Sequence, residues 1–378
     1  MFGESLLLAH KFLNLNNLPK LAGPCVLVHL LNCKIKRNIA HRPVVFNTKT
    51  FNDEGKSQEM STPNFLLSNG KNMPMVGLGT WRSPPEVITQ AVKDAIDIGY
   101  RHFDCAHIYG NEAQVGAALR EKMQEGVVTR DSLFITSKLW NTYHKPELVR
   151  GACETSMRNL GVCYLDLYLM HWPMAYKSGD NLYPTCPDTN KAVFEDIDYI
   201  DTWRAMEDLV DQGLVHAIGV SNFNEQQINR LLSVAKLKPV VLQIECHPYL
   251  RQKSLITLCY DNAIAVTAYS SLGSGHTPYE KPGAYPLLQH PTILAIAEKY
   301  GRTAAQVLLR YQTQSGIIVI PRSVSKHHMS DNFKRIWDFE LAIDDTKAID
   351  DLDCNGRFMT MKAAYGHPHH PFEPGQTK

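Results

Sequence analysis

The chain has 378 residues, 44% of them hydrophobic, and a formal net charge of +1 at pH 7. This length and composition allow a sizeable buried core, arranged as one large α/β barrel or as two ordinary domains. A nearly balanced charge creates no global field that would recruit nucleic acid or an acidic membrane surface. We therefore expect no nucleic-acid partner and no stable membrane insertion.

The N-terminal part differs in composition from the rest. Residues 1–50 contain one acid, Glu4, against seven Lys or Arg residues. A basic, acid-poor N-terminus is typical of a mitochondrial transit peptide, although this one is short of arginine and serine. The apolar run Cys25–Leu31 is too short to span a bilayer.

Met60 begins a segment that can serve as a translation start. We expect residues 1–59 to be an N-terminal extension that is unstructured or has a targeting role, with an extra folded element as the third alternative. The barrel is predicted over residues 60–378, with a C-terminal tail from about residue 355. The expected location is cytoplasmic, or mitochondrial if the extension is a transit peptide.

A hairpin opens the folded part. Asn69-Gly70, a strong turn signal, separates the extended segments Phe65–Ser68 and Asn72–Val76. From Met75–Thr80 onward, predicted strands alternate with predicted helices. The strands are 102–106, 133–138, 164–171, 216–221, 239–245, 264–270 and 317–320. The helices are Glu86–Ile98, Glu112–Gln124, Pro146–Leu160, Asp201–Gln212, Glu225–Ala235, Gln252–Asn262 and Pro291–Tyr300.

Continuous apolar strands with helices between them predict a parallel sheet that is covered on both faces. Seven or eight such units without a long linker favour a closed (β/α)8 TIM barrel of the α/β class over two doubly wound domains. Two long connections, Trp172–Tyr199 and Gly273–His290, and the tail Asn355–Lys378 are expected to shape a pocket on the catalytic face.

Nine cysteines occur without C-x-x-C spacing, and Cys105, Cys163 and Cys246 lie in apolar strand patterns. We interpret them as buried, reduced thiols of an intracellular protein. A metal or disulfide role is the alternative.

Three chemically active residues come at the ends of successive predicted strands. Asp104, Lys138 and His171 occupy these positions, and Tyr109 follows Asp104 in the same loop. Each alone has a structural explanation, as a salt bridge or as a core histidine. Strand ends of a barrel converge on one mouth, so we expect the four side chains to lie together.

Together they make a proton donor. We predict that Lys138 lowers the pKa of Tyr109 from about 10 toward neutrality while Asp104 holds the ammonium. Tyr109 then serves as a general acid, and His171 orients a substrate carbonyl. A general acid without a metal or a nucleophile suggests carbonyl reduction.

Five motifs, in order, resemble those of the aldo-keto reductases and cover about residues 64–360. The chain is most similar to the aldose reductase and aldehyde reductase branch. The motifs are Gly99–Gly116 (GYRHFDCAHIYGNEAQVG), Phe134–Trp140 (FITSKLW), Asp166–Pro173 (DLYLMHWP), Gly219–Phe223 (GVSNF) and Ile320–Val324 (IPRSV).

The resemblance implies a (β/α)8 barrel closed at its bottom by the N-terminal hairpin. It also implies a monomeric enzyme that reduces aldehydes and ketones with NADPH, using Tyr109, Asp104, Lys138 and His171, with Tyr109 as proton donor. The alternative is a non-catalytic or regulatory protein on the same fold, as in channel-associated subunits or lens crystallins. A hydrolase using Asp104 or Glu245 is a weaker alternative.

The chain has no G-x-G-x-x-G, so a Rossmann cofactor site is unsupported. The resemblance instead implies NADPH lying across the barrel mouth. Ser221, Asn222 and Gln243 would hold the carboxamide and Tyr269 would stack on the nicotinamide. The remaining implied contacts lie at strand ends, around the pyrophosphate and around the adenosine 2′-phosphate: Thr80, Asp104, Ser270, Leu272, Ser274, Arg322, Ser323, Val324, Ser325, His328, Asp331 and Asn332.

The segment 322–332 supplies a guanidinium and hydroxyls beside a helix start, which favours a phosphate. His328 stands where the family usually has a second arginine. Since histidine is only partly charged at neutral pH, NADH use is also possible.

Aromatic residues near strand ends predict an apolar substrate pocket. Its residues are Trp81, Ile108, Trp140, His171 and Trp172, with core packing as the alternative for the tryptophans. Such a pocket suits apolar aldehydes, ketones or open-chain sugars, and we find no fixed cation for a carboxylate. His367, His369 and His370 suggest zinc, but flanking prolines and the lack of a fourth ligand favour a solvated tail, so we predict no metal.

Overall fold

The computed structural model describes residues 45–46, 62–274 and 285–372. Predictions for residues 1–44, 47–61, 275–284 and 373–378 lie outside the described residues. Within the described ranges, no helix is both long and apolar enough to cross a membrane.

A small antiparallel sheet precedes the barrel. It consists of β1 (Val45–Phe46), β2 (Asn64–Leu66) and β3 (Asn72–Pro74), in the order β1-β2-β3. The predicted hairpin is therefore confirmed, and β1 pairs with it from within the segment predicted as an extension. Phe65 and Met73 are buried among strand residues at the bottom of the barrel, so the hairpin closes that end.

Eight parallel strands follow, each hydrogen-bonded to the next in chain order. They are β4 (Leu78–Gly79), β5 (His102–Asp104), β6 (Phe134–Leu139), β7 (Leu167–Met170), β8 (Ile218–Ser221), β9 (Val241–Glu245), β10 (Ala265–Tyr269) and β11 (Ile318–Val319). A parallel bridge from Val76 to Val319 joins the first strand to the last. The sheet thus curls on itself, as the predicted (β/α)8 barrel requires.

Helices pack around the strands, and the seven predicted helices are confirmed with ends within two residues. In the part of the chain that the structure describes, the helices are, in order, α1 (Pro85–Ile98), α2 (Glu112–Gln124), α3 (Pro146–Leu160), α4 (Tyr199–Asp211), α5 (Glu225–Val234), α6 (Lys253–Asp261), α7 (Pro291–Tyr300), α8 (Ala304–Gln314), α9 (Lys326–Lys334) and α10 (Ile343–Asp350).

Local signals explain several helix ends. Asn224 and Gln227 form a capping box at the start of α5, as do Thr303 and Gln306 at the start of α8. Glycine at 161, with φ of 67°, ends α3 in the left-handed conformation that side chains disfavour.

The seven cysteines in the described ranges are all free thiols. Cys105 and Cys246 are buried, as predicted, but Cys163 is exposed. The prediction for Cys163 is wrong because the strand begins at Leu167, which leaves Cys163 in the turn after α3.

Candidate active site

The four predicted catalytic side chains lie together at the carboxyl ends of β5, β6 and β7. Lys138 Nζ donates to Asp104 Oδ2 at 2.7 Å and lies 3.3 Å from the Tyr109 hydroxyl oxygen. The His171 and Tyr109 rings meet edge to face with their centroids 5.8 Å apart. Asp104 and Lys138 are essentially inaccessible to solvent, so the ion pair works in a medium of low polarity.

Strand register brings these groups to one level. Lys138 pairs with Leu169 across β6 and β7, and the His171 amide donates to the Leu139 carbonyl at 3.1 Å. Because side chains alternate along a strand, Lys138 enters the barrel mouth while Ser137 points outward to the helices.

Tyr109 is positioned by a short helical turn instead of by a strand. The turn His107–Tyr109 ends at Gly110, whose φ is 69°. Asn111 then donates from Nδ2 to the carbonyl oxygens of Thr80 and Ser83 at 2.9 and 3.0 Å. The turn is therefore tied to the loop after β4.

The predicted lowering of the Tyr109 pKa is wrong for the protein on its own. Desolvation, and then the Asp104 carboxylate, raise the pKa of Tyr109 well above its ordinary value. The charge of Lys138 is largely neutralised by Asp104 at 2.7 Å, which explains why it does not reverse the effect. Tyr109 therefore keeps its proton at neutral pH.

His171 is a neutral imidazole. Burial, and then the positive charge of Lys138, lower the pKa of His171 well below its ordinary value. Its Nδ1 is buried and has no hydrogen-bond partner among the described residues. A neutral imidazole carries one N–H, which can donate to a carbonyl oxygen.

The predicted nicotinamide residues surround this group at the ends of β8, β9 and β10. Gln243 donates to Asp104 Oδ1 at 2.7 Å, so its amide is linked directly to the ion pair. Tyr269 donates to Asn222 Oδ1 at 2.7 Å, and Asn222 in turn donates to the Ser221 hydroxyl at 3.1 Å.

Backbone strain marks the same place. Asn222 and Ser270 adopt left-handed φ angles of 62° and 53°. This conformation is costly for residues other than glycine and concentrates at functional sites. Leu272 and Ser274 follow in the loop after β10.

The predicted phosphate segment lies beside the end of β4. The Gly79 amide donates to the Pro321 carbonyl at 3.3 Å, and a Cβ at Gly79 would meet the Ile320 oxygen at 2.6 Å. Arg322 is exposed here, next to the strand that leads to Thr80. Thr80 itself donates from its hydroxyl to the Asp104 carbonyl at 2.9 Å.

Helix α9 starts within this segment. The Ser325 hydroxyl caps it by accepting from the His328 amide at 3.4 Å, and the Ser325 amide donates to the Ser323 hydroxyl at 3.1 Å. Val324 and His328 are exposed. Asp331 lies 3.4 Å from His327, and Asn332 is buried.

These residues fit a nicotinamide dinucleotide cofactor. Amide and hydroxyl groups surround the catalytic side chains, where a carboxamide needs donors and acceptors. An exposed guanidinium and serine hydroxyls lie at the start of α9, where a phosphate is favoured. Within the described ranges, no group of three or more His, Cys, Asp or Glu residues could hold a metal ion.

The predicted substrate residues divide into two kinds. Trp140 and Trp172 are buried at 3% exposure, and Trp140 lies edge to face with His171 at 5.3 Å. Ile108 packs against the same apolar cluster. Trp81 is exposed at 37%, with the Arg82 guanidinium 4.5 Å from its ring centre. Trp140 and Trp172 are thus buried, with Trp140 beside the catalytic group, whereas Trp81 lies at the surface.

The C-terminal tail packs against Trp172. Phe372 packs edge to face on Trp172 with centroids 6.0 Å apart. The amide of Ala192, in the long loop after β7, donates to the tail carbonyl of Ala363 at 2.9 Å. Loop and tail therefore form one continuous surface over the mouth.

Glu245 anchors the tail. Its two carboxylate oxygens accept from the amides of Phe358 and Met359 at 2.7 and 2.8 Å, and His247 lies 2.8 Å away. A fully buried carboxylate committed to these partners has no exposed lone pair for hydrolysis, so the Glu245 hydrolase alternative has no geometric support.

The tail histidines are packed, which corrects the predicted solvated tail. His367 is 6% exposed, and its Nδ1 accepts from the His369 amide at 2.9 Å. Burial, and then the charges of neighbouring histidines, lower the pKa of His367 to about 4 and that of His144, in the loop after β6, to about 3. His370 contacts the Thr360 and Phe372 carbonyls.

The surroundings of His369 are mixed in charge. Burial is the main reason that its pKa is lowered, Asp198 and Asp196 act in the opposite direction, and Arg230 adds to the lowering. Arg230 and Asp198 are themselves ion-paired. The Tyr199 ring lies 5.0 Å from His369.

Several site residues were missed by the sequence analysis. Tyr183 packs on Trp140 with centroids 5.6 Å apart, and Phe372 was not singled out within the tail. The signal for Tyr183 was an aromatic residue in an unusually long loop on the catalytic face. Glu112 and Asn111 stood in a recognised motif but received no role.

Comparisons with known proteins agree with this site. The family model described as Aldo/keto reductase family matches residues 75–353. Aldo-keto reductase family 1 member A1-A of Danio rerio is 47% identical over 321 residues, covering 82% of this chain and 98% of that protein. Aldo-keto reductase family 1 member A1 of Homo sapiens is 46% identical, covering 81% and 97%.

A solved structure gives the same result. The aldose reductase from Schistosoma japonicum superposes with a TM-score of 0.77 at 41% identity, covering 82% of this chain and 99% of that one. The family model and the relatives match across most of the chain. The chain therefore belongs to the aldo/keto reductase family, whose members are oxidoreductases that reduce carbonyl groups.

Proposed function

We propose that this protein reduces aldehydes and ketones to alcohols with NADPH, using Tyr109 as the proton donor. The observation that carries the proposal is the contact of the Tyr109 hydroxyl with the buried Lys138–Asp104 pair, at 3.3 Å from Nζ. His171 faces the same space. General-acid chemistry needs this arrangement of a held proton and a charge beside it.

Each side chain has a distinct part. Tyr109 is protonated at neutral pH and so holds a proton for the carbonyl oxygen. Lys138 stabilises the phenolate that forms as this proton leaves, and Asp104 fixes the ammonium. Neutral His171 donates a hydrogen bond that orients the carbonyl. Bound NADPH supplies the hydride.

The residues that would hold the cofactor follow from the donor groups. Ser221, Asn222 and Gln243 suit the carboxamide, and Tyr269 suits the face of the ring. Arg322 and the serines that precede α9 suit a 2′-phosphate. Because His328 is exposed and stands where the family usually has arginine, we expect NADH to be accepted as well, with lower affinity.

The pocket suits apolar carbonyl compounds. Trp140, Trp172 and Phe372 supply aromatic surface beside the catalytic group. Aromatic aldehydes, ketones and open-chain sugars are the proposed substrate classes. We further propose a monomer acting in the cytoplasm.

A spectrophotometric assay of NADPH oxidation with a simple aromatic aldehyde tests the proposal. Tyr109→Phe is expected to lower kcat by about 10²–10⁴-fold, since it removes the general acid. Tyr164→Phe is the matched control, because this tyrosine bonds Asp131 at the barrel's other end and its loss leaves the mouth intact. No turnover by purified, cofactor-binding wild type would instead favour the non-catalytic alternative.

A further inference from the structure

A buried carboxylate lies directly behind the catalytic group. Glu112 is the first residue of α2 and is 3% exposed. It accepts from the Ser137 hydroxyl at 2.7 Å and from Asn159 Nδ2 at 3.3 Å. His107 Nδ1 lies 3.8 Å away, beyond hydrogen-bond length. Burying a carboxylate is costly, so its retention here needs an explanation.

Two neighbours of Glu112, its hydrogen-bond donor Ser137 and the nearby His107, adjoin the proposed proton donor and its cation. Ser137 precedes Lys138 on β6, and His107 belongs to the helical turn that ends at Tyr109. Lys138 reaches the mouth from one face of the strand, while Ser137 meets Glu112 on the other. One carboxylate therefore holds the strand from outside at the residue next to Lys138.

Close packing of α2 against α3 supports the contact between Glu112 and β6. A Cβ at Gly116, one turn after Glu112, would meet the carbonyl oxygen of Leu160 at 2.5 Å. The glycine therefore allows α2 to approach α3, where Asn159 completes the shell around the carboxylate. Burial opposes ionisation, but the polar contacts with His107, Ser137, Ser156 and Asn159 together outweigh it and lower the pKa of Glu112.

We propose that Glu112 is a positioning residue that fixes the separation between the Tyr109 hydroxyl and the Lys138 ammonium. The proposal rests on the proposed function. The separation of 3.3 Å is at the long end of the hydrogen-bond range, so a small outward shift of either group breaks the contact. Displacements of about 1 Å can cost about 100-fold in rate.

The test compares Glu112→Gln with a matched buried carboxylate that is remote from the mouth. Glu207 on α4 is 6% exposed and accepts from Trp203 Nε1 and the Leu237 amide at 3.1 and 2.7 Å. Glu207→Gln should therefore lower the unfolding temperature without changing kcat. Glu112→Gln should lower kcat by about tenfold or more while the Kd of NADPH changes less than about twofold.

Two further readouts separate positioning from loss of stability. The solvent deuterium isotope effect on kcat should rise in Glu112→Gln, because proton transfer from Tyr109 becomes the impaired step. Ser137→Ala should lower kcat about threefold to tenfold, and the double variant should lose less than the product of the single losses, as expected for residues in one network.

The outcomes are distinct. Equal kcat values in Glu112→Gln, Glu207→Gln and wild type would overturn the proposal. If Glu112→Gln does not fold, wild-type kcat in Ser137→Ala overturns it instead. Full activity of Tyr109→Phe would contradict the proposed function itself. The variants at Glu112, Ser137 and Glu207 do not test that function.

Discussion

The proposed catalytic group and the proposed substrate wall differ in how the fold holds them. Asp104 and Lys138 stand on barrel strands whose register is set by their neighbours, and His171 directly follows one. The wall is built from the long loop after β7 and from the tail, which meet through the bond between Ala192 and Ala363. The barrel thus positions the side chains proposed for catalysis, while two irregular segments bound the space through which a substrate would reach them.

The largest expected effect comes from breaking the buried ion pair. Lys138→Met should lower kcat by about 100-fold or more, and leaving Asp104 uncompensated should cost about 3–5 kcal/mol of stability. Steady-state kinetics and urea unfolding measure both. Lys236→Met is the control, because its pair with Asp211 is exposed and contributes little. Wild-type activity in Lys138→Met would contradict the strand-borne mechanism.

Removing an aromatic side chain from the tail should act on substrate affinity instead. Phe372→Ala is expected to raise KM for an aromatic aldehyde by about tenfold with a smaller change in kcat, since it uncovers Trp172. Ile343→Ala, at an exposed position remote from the mouth, should change neither. A decrease in kcat with an unchanged KM would contradict this prediction, because the tail would then affect the catalytic group and not substrate affinity.

Acid should loosen the packing of the tail. His367 and His144 have pKa values of about 4 and 3 when packed, and about 6.5 when released. The packed state binds fewer protons, so its stability is complete above about pH 6.5 and declines as pH falls. Below about pH 6.5, protonation of each histidine therefore increases the equilibrium constant for release of the tail by up to about tenfold per pH unit.

Hydrogen exchange of residues 355–372, corrected for intrinsic rates, measures this release. His367→Asn keeps an acceptor for the His369 amide but does not titrate, so it should flatten the pH dependence. Tail protection that is independent of pH down to about 5 in the wild type would refute the prediction.

The smallest expected effect concerns the cofactor. His328→Arg should increase the preference for NADPH over NADH by about threefold to tenfold, because arginine adds a permanent charge near the proposed 2′-phosphate site. Fluorescence titration with each cofactor gives the two Kd values. His327→Arg is the control, since this side chain faces Asp331 instead. An equal gain in both variants would indicate a general field effect.

The parts that could be predicted from sequence depend on short-range rules. Asp104, Lys138 and His171 were identifiable because strand periodicity and barrel topology place strand ends together. The hairpin at Asn69-Gly70 follows from turn chemistry, and helix ends follow from caps such as Asn224.

The parts that were missed depend on long-range packing. Tyr183 reaches Trp140 from 43 positions along the chain, and Phe372 reaches Trp172 from 200. The pKa of Tyr109 depends on desolvation by groups from several strands. The prediction from sequence considered only the charge of Lys138, and therefore gave the wrong direction for the pKa shift. The burial of His367 follows from the same tail packing.

The bond between Ala192 and Ala363 has a consequence for how substrate range can change during divergence. The bond joins two backbone groups, so a loop or a tail transplanted alone would keep it only where its backbone follows the same path. Chimeras that exchange residues 172–199 together with the tail should therefore retain the contact between loop and tail. Chimeras that exchange only one of the two segments should lose it. A change in substrate specificity on this scaffold therefore requires the loop after β7 and the tail to change together.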